Sequence, residues 1–202
     1  DTRLTNVVSW SEYPSIAVSG SNIHIVWMDD RDESFYPEVY YKRSTDGGIS
    51  WSADEKLTSN PSDPGIPSLA VSGNNIHIVW HDLRDGNGEI YYKHSTDNGM
   101  TWQPDIRLTN DASISERASI AVWNNSIYVV WQDERDNDKE IYFKVSTDNG
   151  SNWSGDIRLT NNVGESEAPT LAVEESNINV VWSDSRNGIG NGEVYYKKST
   201  DA

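Results

Sequence analysis

The sequence contains no cysteine, only two methionine and two phenylalanine residues, and no apolar run near the ~18 residues of a membrane-spanning helix. Without cysteine, disulfide bonds, thiol catalysis and cysteine-ligated zinc are excluded. The compartment stays open on this ground, because secreted proteins need not carry disulfides. The lack of a long apolar run also argues against a membrane as partner.

Basic residues are scarce as well, with 16 Lys and Arg against 32 Asp and Glu, which gives a formal charge of -16. An acidic surface repels nucleic acids and anionic lipids, so neither is predicted as a partner. Nine Trp and ten Tyr nevertheless indicate a folded protein, because disordered acidic chains are poor in these residues. The chain begins at Asp1 without methionine, so we expect a mature or excised form that is secreted or extracellular.

Internal repeats dominate the sequence. Three short patterns each occur four times at spacings of 51 to 53 residues: Ser-Thr-Asp, Ile/Val-Val-Trp and Arg/Lys-Leu-Thr. We therefore predict one domain, residues 1–202, built from four copies of one unit. The predicted repeats are residues 11–58, 59–109, 110–160, and 161–202 together with 1–5.

Each repeat predicts four short strands, exemplified by residues 67–72, 75–80, 89–93 and 105–109, which are rich in β-branched and aromatic residues and separated by turn residues. No stretch has helical periodicity over ten or more residues. Four-stranded repeats of about 40 to 50 residues are typical of β-propeller blades. The predicted fold is therefore an all-β propeller of four blades, each with four antiparallel strands.

Residues 1–5 match the fourth strand of the repeat, whereas the last repeat stops after its third strand. We predict that residues 1–5 complete the last blade and close the ring, which also covers an exposed strand edge. Closure within one chain gives four blades, and closure between two chains gives eight. The alternative is that the sequence is a fragment cut at an arbitrary point of the repeat.

The turn between the third and fourth strands has the pattern Ser-x-Asp-x-Gly-x-x-Trp in three repeats, with the aspartates at Asp46, Asp97 and Asp148. Asp and Ser can hydrogen-bond the turn amides, Gly permits a positive φ, and Trp can pack under the turn. The pattern resembles the Asp-box, or bacterial neuraminidase repeat (BNR), of sialidase-type β-propellers. That resemblance implies that the boxes lie on the face away from the active site, so these three aspartates are predicted to be structural.

Sialidases use an arginine triad, a Tyr–Glu nucleophile pair and an Asp acid/base, and they carry an aromatic-Arg-Ile/Leu-Pro motif. The nearest string here, residues 116–119, reads Glu-Arg-Ala-Ser and lacks both the aromatic residue and the proline. Family enzymes usually have six blades, whereas this chain has repeats for four. No catalytic residue can therefore be carried over, and whether the chain is an enzyme stays open.

The turn after each second strand repeats Asp-x-Arg, and a Glu opens each third strand. One interpretation is a structural ion cluster, with the arginine fork bridging carboxylates. The other is Ca²⁺ binding, because these loops offer several oxygen ligands within eight residues, although the arginine opposes a cation. The candidate calcium ligands are Asp82, Asp85 and Glu89 in the second repeat and Asp133, Asp136 and Glu140 in the third. No other cofactor is predicted.

The repeats differ from one another just before each first strand, where the sequence reads Glu12-Tyr13, Gly65-Ile66, Glu116-Arg117 and Glu167-Ala168. First strands line the central channel of a propeller, so we expect these residues at an acidic channel mouth with Arg117 as its only base. Aromatic residues off the repeat, including Phe35, Tyr36 and Trp123, could stack on sugar rings. The predicted ligand-binding residues are Trp10, Glu12, Tyr13, Glu116, Arg117 and Glu167, and the alternative is a merely solvated rim.

Three functions follow as hypotheses. The first is a non-catalytic module, a monomer or homodimer, that binds a glycan or another protein through the loop face. The second is a glycoside hydrolase related to sialidases, with a carboxylate pair such as Glu12 and Glu116 placed ~5 to 10 Å apart. The third is a structural repeat protein that assembles as an eight-bladed dimer or array.

Overall fold

Four repeats of short, β-branched and aromatic segments fold into fifteen strands arranged as four antiparallel sheets. The computed structural model describes residues 1–32, 36–59, 64–188 and 192–200. Strands are the only regular elements in these ranges, and no helix long and apolar enough to cross a membrane occurs among them. The predicted all-β, four-bladed propeller is confirmed.

Each blade is one sheet with its strands in chain order. Blade 1 contains β1 (Ser11–Ser19), β2 (Asn22–Asp29), β3 (Glu38–Ser44) and β4 (Glu55–Lys56). Blade 2 contains β5 (Ser68–Ser72), β6 (Asn75–Asp82), β7 (Glu89–Ser95) and β8 (Ile106–Arg107). Blade 3 contains β9 (Ser115–Trp123), β10 (Ser126–Asp133), β11 (Glu140–Ser146) and β12 (Ile157–Arg158). Blade 4 contains β13 (Ser166–Glu174), β14 (Asn177–Asp184) and β15 (Glu193–Ser199).

The apolar core lies between neighbouring blades, as three separate clusters. Between blades 1 and 2, for example, Val39 and Tyr41 of β3 pack with Leu69 of β5 and Ile78 of β6. The middle strands are buried on both faces, which explains their nearly continuous apolar sequences. Because each core is shared, a blade is stabilised mainly by its neighbours.

The second and third Asp-box turns fix blades 2 and 3 to the blade before each. In the second box the Ser95 hydroxyl accepts a hydrogen bond from the Gly99 amide (2.9 Å), and Trp102 packs edge-on against Tyr41 of blade 1 with ring centroids 4.9 Å apart. Gly99 has a φ of +74°, and a Cβ there would lie 2.1 Å from the Tyr41 hydroxyl. These contacts support the structural role predicted for Asp46, Asp97 and Asp148, whose carboxylates accept hydrogen bonds within their own turns.

The N-terminal segment, residues 1–5, lies against blade 1. Lys42 donates a hydrogen bond to the Leu4 carbonyl (2.6 Å), as Lys144 of blade 3 does to the Leu108 carbonyl of blade 2. The segment therefore occupies the place of a fourth strand belonging to a preceding blade. In the described part of the chain it is not paired with β15, so the sheet of blade 4 has three strands and ring closure stays a prediction.

Candidate functional site at the channel mouth

The Asp-x-Arg turns fold into a compact cluster, best seen in blade 3. Arg135 donates from Nε and Nη2 to the two carboxylate oxygens of Asp133, at 2.7 and 2.6 Å, and from Nη1 to Asp156 at 2.7 Å. The Trp131 indole donates to Asp133 Oδ2 at 2.8 Å. The guanidinium also lies over the ring of Tyr142, 4.4 Å from its centroid. Every oxygen of the buried carboxylate is thus hydrogen-bonded within one blade.

The same cluster recurs in each blade, centred on Asp29, Asp82, Asp133 and Asp184. Burial by itself would raise the pKa of Asp133, but hydrogen bonds from Arg135 and Trp131 outweigh it and hold that pKa below its usual range. The paired carboxylates conversely raise the pKa of Arg135. The geometry supports the interpretation of these loops as an ion-paired scaffold.

Each of the six candidate calcium ligands is engaged by an arginine. Asp82 and Asp133 each pair with the arginine two residues later. The other four ligands pair with the arginine in the fourth strand of their own blade. These pairs are Asp85–Arg107, Glu89–Arg107, Asp136–Arg158 and Glu140–Arg158. Among the residues that the structure describes, no group of three metal-ligating side chains is placed to hold an ion. Calcium binding at these loops stays a prediction, which a Ca²⁺ titration of the chelator-treated protein would test.

In blades 1, 3 and 4 the residues predicted to ring the channel mouth lie inside the first strands rather than before them, whereas Gly65 and Ile66 precede β5. β1, β9 and β13 each contain a bulge there, and three equivalent residues have left-handed backbone: Tyr13 (φ 51°), Arg117 (φ 54°) and Ala168 (φ 50°). Bulges re-aim side chains, and non-glycine residues in this region of backbone space cluster at functional sites. The bulge could not be predicted from the sequence. A bulge adds one residue to a strand, and the alternation of inward- and outward-facing side chains does not reveal that extra residue.

A hydrogen-bonded chain links the mouths of blades 3 and 4. The Gln132 side-chain amide donates to Glu116 Oε1 (2.8 Å), and its oxygen accepts from the backbone amide of Ala168 (2.8 Å). Gln132 is almost completely buried, so this contact fixes Glu116 against the strained segment of the next blade. Gln132 therefore links Glu116 to the segment of Glu167 and Ala168, and ligand binding by these residues stays a prediction.

Arg117 is not the only base at the mouth, because the Lys139 ammonium lies 2.6 Å from Glu167 Oε1. Lys139 follows β10, and the loop carries it across to β13 of the next blade. This contact holds the pKa of Glu167 below its usual range. Glu165 and Glu167 border a cavity of about 600 Å³ whose lining also includes Asp138, Ser183 and Ser185.

Blade 2 has a different mouth. Gly65 stands where the other blades have glutamate, and a Cβ there would lie 1.6 Å from the imidazole of His81. His81 therefore takes the space next to the first strand. Gln132 and His81 occupy the same repeat position, between the tryptophan and aspartate that close the second strand. Variation at that position, which is Met28 in blade 1 and Ser183 in blade 4, is the sequence signal that could have identified these mouth residues.

The predicted aromatic residues do not form one group. Trp10 and Tyr13 are exposed beside Glu12 at the mouth of blade 1, where the Trp10 backbone amide donates to Asp30. Tyr36 is exposed in the loop that follows β2 at the same end of the blade. Trp123 ends β9 at the opposite end, beside the Asp-boxes, so it cannot contribute to the mouth. Phe35 lies outside the described residues.

Sequence and structure comparisons agree with this architecture. The BNR/Asp-box repeat family matches residues 42–53 and 93–104. A Trypanosoma rangeli sialidase superposes with a TM-score of 0.69 over 96% of this chain, at 17% sequence identity. The chain therefore has the β-propeller fold of this sialidase and carries Asp-box repeats. None of the curated proteins matches its sequence.

This sialidase-like propeller is much shorter than its structural neighbours. It spans 37% of the Trypanosoma rangeli sialidase. A family GH93 α-L-arabinofuranosidase of Fusarium graminearum, solved as a complex with arabinobiose, superposes with a TM-score of 0.70 at 17% identity and is covered to 63%. At such identities the likeness establishes the fold and leaves the activity to be argued from this chain's own residues.

Proposed function

We propose that the chain is a non-catalytic, sialidase-like binding module that takes a glycan at the channel mouth, in an extracellular setting. The observation that carries the proposal is the left-handed backbone at Tyr13, Arg117 and Ala168. A strained residue of this kind costs on the order of 1–3 kcal/mol, and no requirement of the blade explains it, because blade 2 forms without it.

The chemistry of the mouth favours a neutral sugar. Glu116 and Glu167 offer carboxylate oxygens that accept hydrogen bonds from hydroxyl groups, and Arg117 is an exposed donor. The surplus of acid, with a net charge of -16, repels anionic sugars. Exposed Trp10 and Tyr13 offer rings on which a sugar face can stack.

Glycan-array screening followed by calorimetric titration tests this proposal. We expect neutral oligosaccharides to bind and sialylated ones to bind more weakly, with Glu116→Gln reducing affinity at least about tenfold through loss of a charge-assisted hydrogen bond. Glu55→Gln is the matched control, because Glu55 is exposed on β4, at the outer edge of blade 1. Absence of binding to any neutral or sialylated glycan would overturn the proposal.

A second candidate is a glycoside hydrolase, and the 600 Å³ cavity with the Glu165–Glu167 pair is the observation that favours it. The Lys139 ammonium holds the pKa of Glu167 below its usual range, whereas the general acid of a glycosidase needs a raised pKa. Binding without hydrolysis is therefore the better-supported function. Release of chromophore from aryl α-L-arabinofuranosides or aryl sialosides, abolished by Glu167→Gln, would establish the hydrolase instead.

A further inference from the structure

The two ends of the row of blades each present one half of an inter-blade interface. At the interface of blades 2 and 3, Ile120 of β9 packs against blade 2 and is 6% exposed, and its amide donates to the Ser68 hydroxyl of β5. Ile16 is the equivalent residue of β1, and it is 63% exposed. Blade 1 thus lacks the neighbour that its repeat equivalents have.

The free face of blade 4 is the complementary half. Val194 and Tyr196 of β15 are 81% and 58% exposed, whereas their equivalents in β11, Ile141 and Phe143, are 0% and 9% exposed. These side chains are large and apolar, as the repeat requires for packing against a following blade. The chain therefore exposes two faces that fit each other in the way its internal faces do.

The polar groups at the two ends are complementary as well. Arg158 of β12 pairs with Glu140, and Arg135 donates a second bond to Asp156. Within the described residues of blade 4, Glu193 has no arginine partner, and Arg186 pairs with Asp184 alone. The repeat partners they lack are Arg3 and Asp1, which the N-terminal segment carries at the matching positions.

The N-terminal segment already has the conformation of a fourth strand. Arg3 Nε donates to the Thr5 carbonyl (2.7 Å), as Arg158 does to the Thr160 carbonyl (2.7 Å). In the first Asp-box, Gly48 has only Ile23 and Trp51 within 4 Å of a Cβ position, whereas Gly150 in the third box has the Tyr92 hydroxyl of the preceding blade there. The place of that tyrosine beside Gly48 is open.

We propose that two copies of this chain associate head to tail, so that residues 1–5 of each copy complete blade 4 of the other. In this arrangement Tyr196 of one copy packs beside Gly48 and Trp51 of the other, and Arg3 pairs with Glu193. Two copies make an eight-bladed ring, within the usual range of about four to eight blades. A head-to-tail interface must either close as such a ring or continue as a filament.

Closure inside one chain is not seen among the described residues. The inner strands are neighbours in the order β1, β5, β9 and β13, and the free faces of β1 and β15 both stay exposed. Residues 1–5 lie beside blade 1 and leave β15 without a fourth strand in the described chain. A second copy would cover the free face of β1 and the free face of β15 together.

Sedimentation of the chain across a concentration range tests the association. We expect a species of twice the 22.7 kDa chain mass. Ile16→Glu should raise the dissociation constant at least about tenfold, because it buries a charge at the interface. Met100→Glu is the matched control, since Met100 is 64% exposed on an Asp-box turn and should leave the mass unchanged. A monomer at all concentrations, or a filament, would overturn the proposed two-copy ring.

A cysteine pair distinguishes exchange between copies from closure within one chain. The pairing of β11 with β12 aligns Phe143 with Ile157, so the exchanged strand should align Tyr196 with Thr2. The chain has no cysteine, so any disulfide in the double variant Thr2→Cys, Tyr196→Cys joins introduced residues, and the two single variants control for pairing of like cysteines between copies. Under oxidation we expect a covalent dimer on a non-reducing gel. A cross-linked monomer or no cross-link would contradict strand exchange.

Discussion

The Asp–Arg–Trp clusters and the channel mouth lie at the same end of the blades, yet they are built differently. The buried Asp of each cluster is bonded by its Trp and by the arginine two residues later in all four blades, and the arginine binds a second carboxylate in blades 1 to 3. The mouth differs in every blade and carries strained backbone, exposed charge and a cavity. Repetition thus marks the part that holds the fold, and variation marks the part available for recognition.

The largest expected effect comes from removing a cluster carboxylate. Asp133→Ala leaves Arg135 and the Trp131 indole without their main partner in a buried site, so we expect a loss of about 3–5 kcal/mol in the free energy of unfolding. Chemical denaturation measures it. Asp138→Ala, an exposed carboxylate of the same loop, should change stability by less than about 0.5 kcal/mol. Equal effects of the two substitutions would remove the distinction between cluster and mouth.

The second largest expected effect is the loss of folding stability in acid, when the cluster aspartates become protonated. Hydrogen bonds hold the pKa values of Asp29, Asp133 and Asp184 below their usual range in the folded state. The folded chain then binds fewer protons than the unfolded chain, so stability is complete above pH 3.8, the ordinary aspartate value, and falls as pH drops below it. We expect on the order of 1 kcal/mol per cluster to be lost by pH 3.

Thermal denaturation between pH 3 and pH 7 measures this loss. The box aspartate Asp46 should contribute in the same direction, because hydrogen bonds from Ser50 and Ser44 lower its pKa to about 2. A melting temperature that does not change between pH 5 and pH 3 would contradict the view that the clusters depend on ionised aspartates.

The sequence was sufficient to predict the blades, because their determinants are local and repeated. Period, strand composition and the Asp-box each indicated the same unit, and Trp102 and Gly99 fulfil the roles that their types suggest. The mouth was located only roughly. Gln132 links Glu116 to the segment of Glu167 and Ala168 across two blades, and this link follows from packing, which residue spacing does not report.

The backbone strain was also beyond prediction from one sequence. Tyr13, Arg117 and Ala168 share no side-chain chemistry that favours left-handed backbone, and glycine or asparagine would be the usual choice. Their conformation occurs at the bulge against the second strand. The calcium alternative could not be decided from the sequence either, because the same carboxylates suit a metal cation or an arginine. The geometry shows Arg107 and Arg158 in contact with them.

At the mouth, Arg117→Gly should increase stability by about 1 kcal/mol, because glycine adopts a φ near 54° without strain. The same substitution removes an exposed donor, so glycan binding should weaken. Equilibrium unfolding measures the expected gain in stability, and glycan titration measures the expected loss of affinity. Asn124→Gly is the control, since Asn124 has the same φ of 54° in a hairpin turn away from the mouth. Loss of stability in Arg117→Gly would mean that the arginine supports the fold.

The smallest expected effect is that of the ion pair at the mouth. The side chains of Lys139 and Glu167 are 26% and 38% exposed, so Lys139→Gln should change the free energy of unfolding by less than about 1 kcal/mol. The pKa of Glu167 should rise towards its ordinary value, which carboxyl chemical shifts followed by NMR would show. Arg158→Gln, which removes the partner of the buried Glu140, is the cluster counterpart and should cost more stability. If the two substitutions cost the same, Lys139 belongs with the structural clusters, and the recognition surface is confined to Glu116, Arg117 and the residues of blade 1.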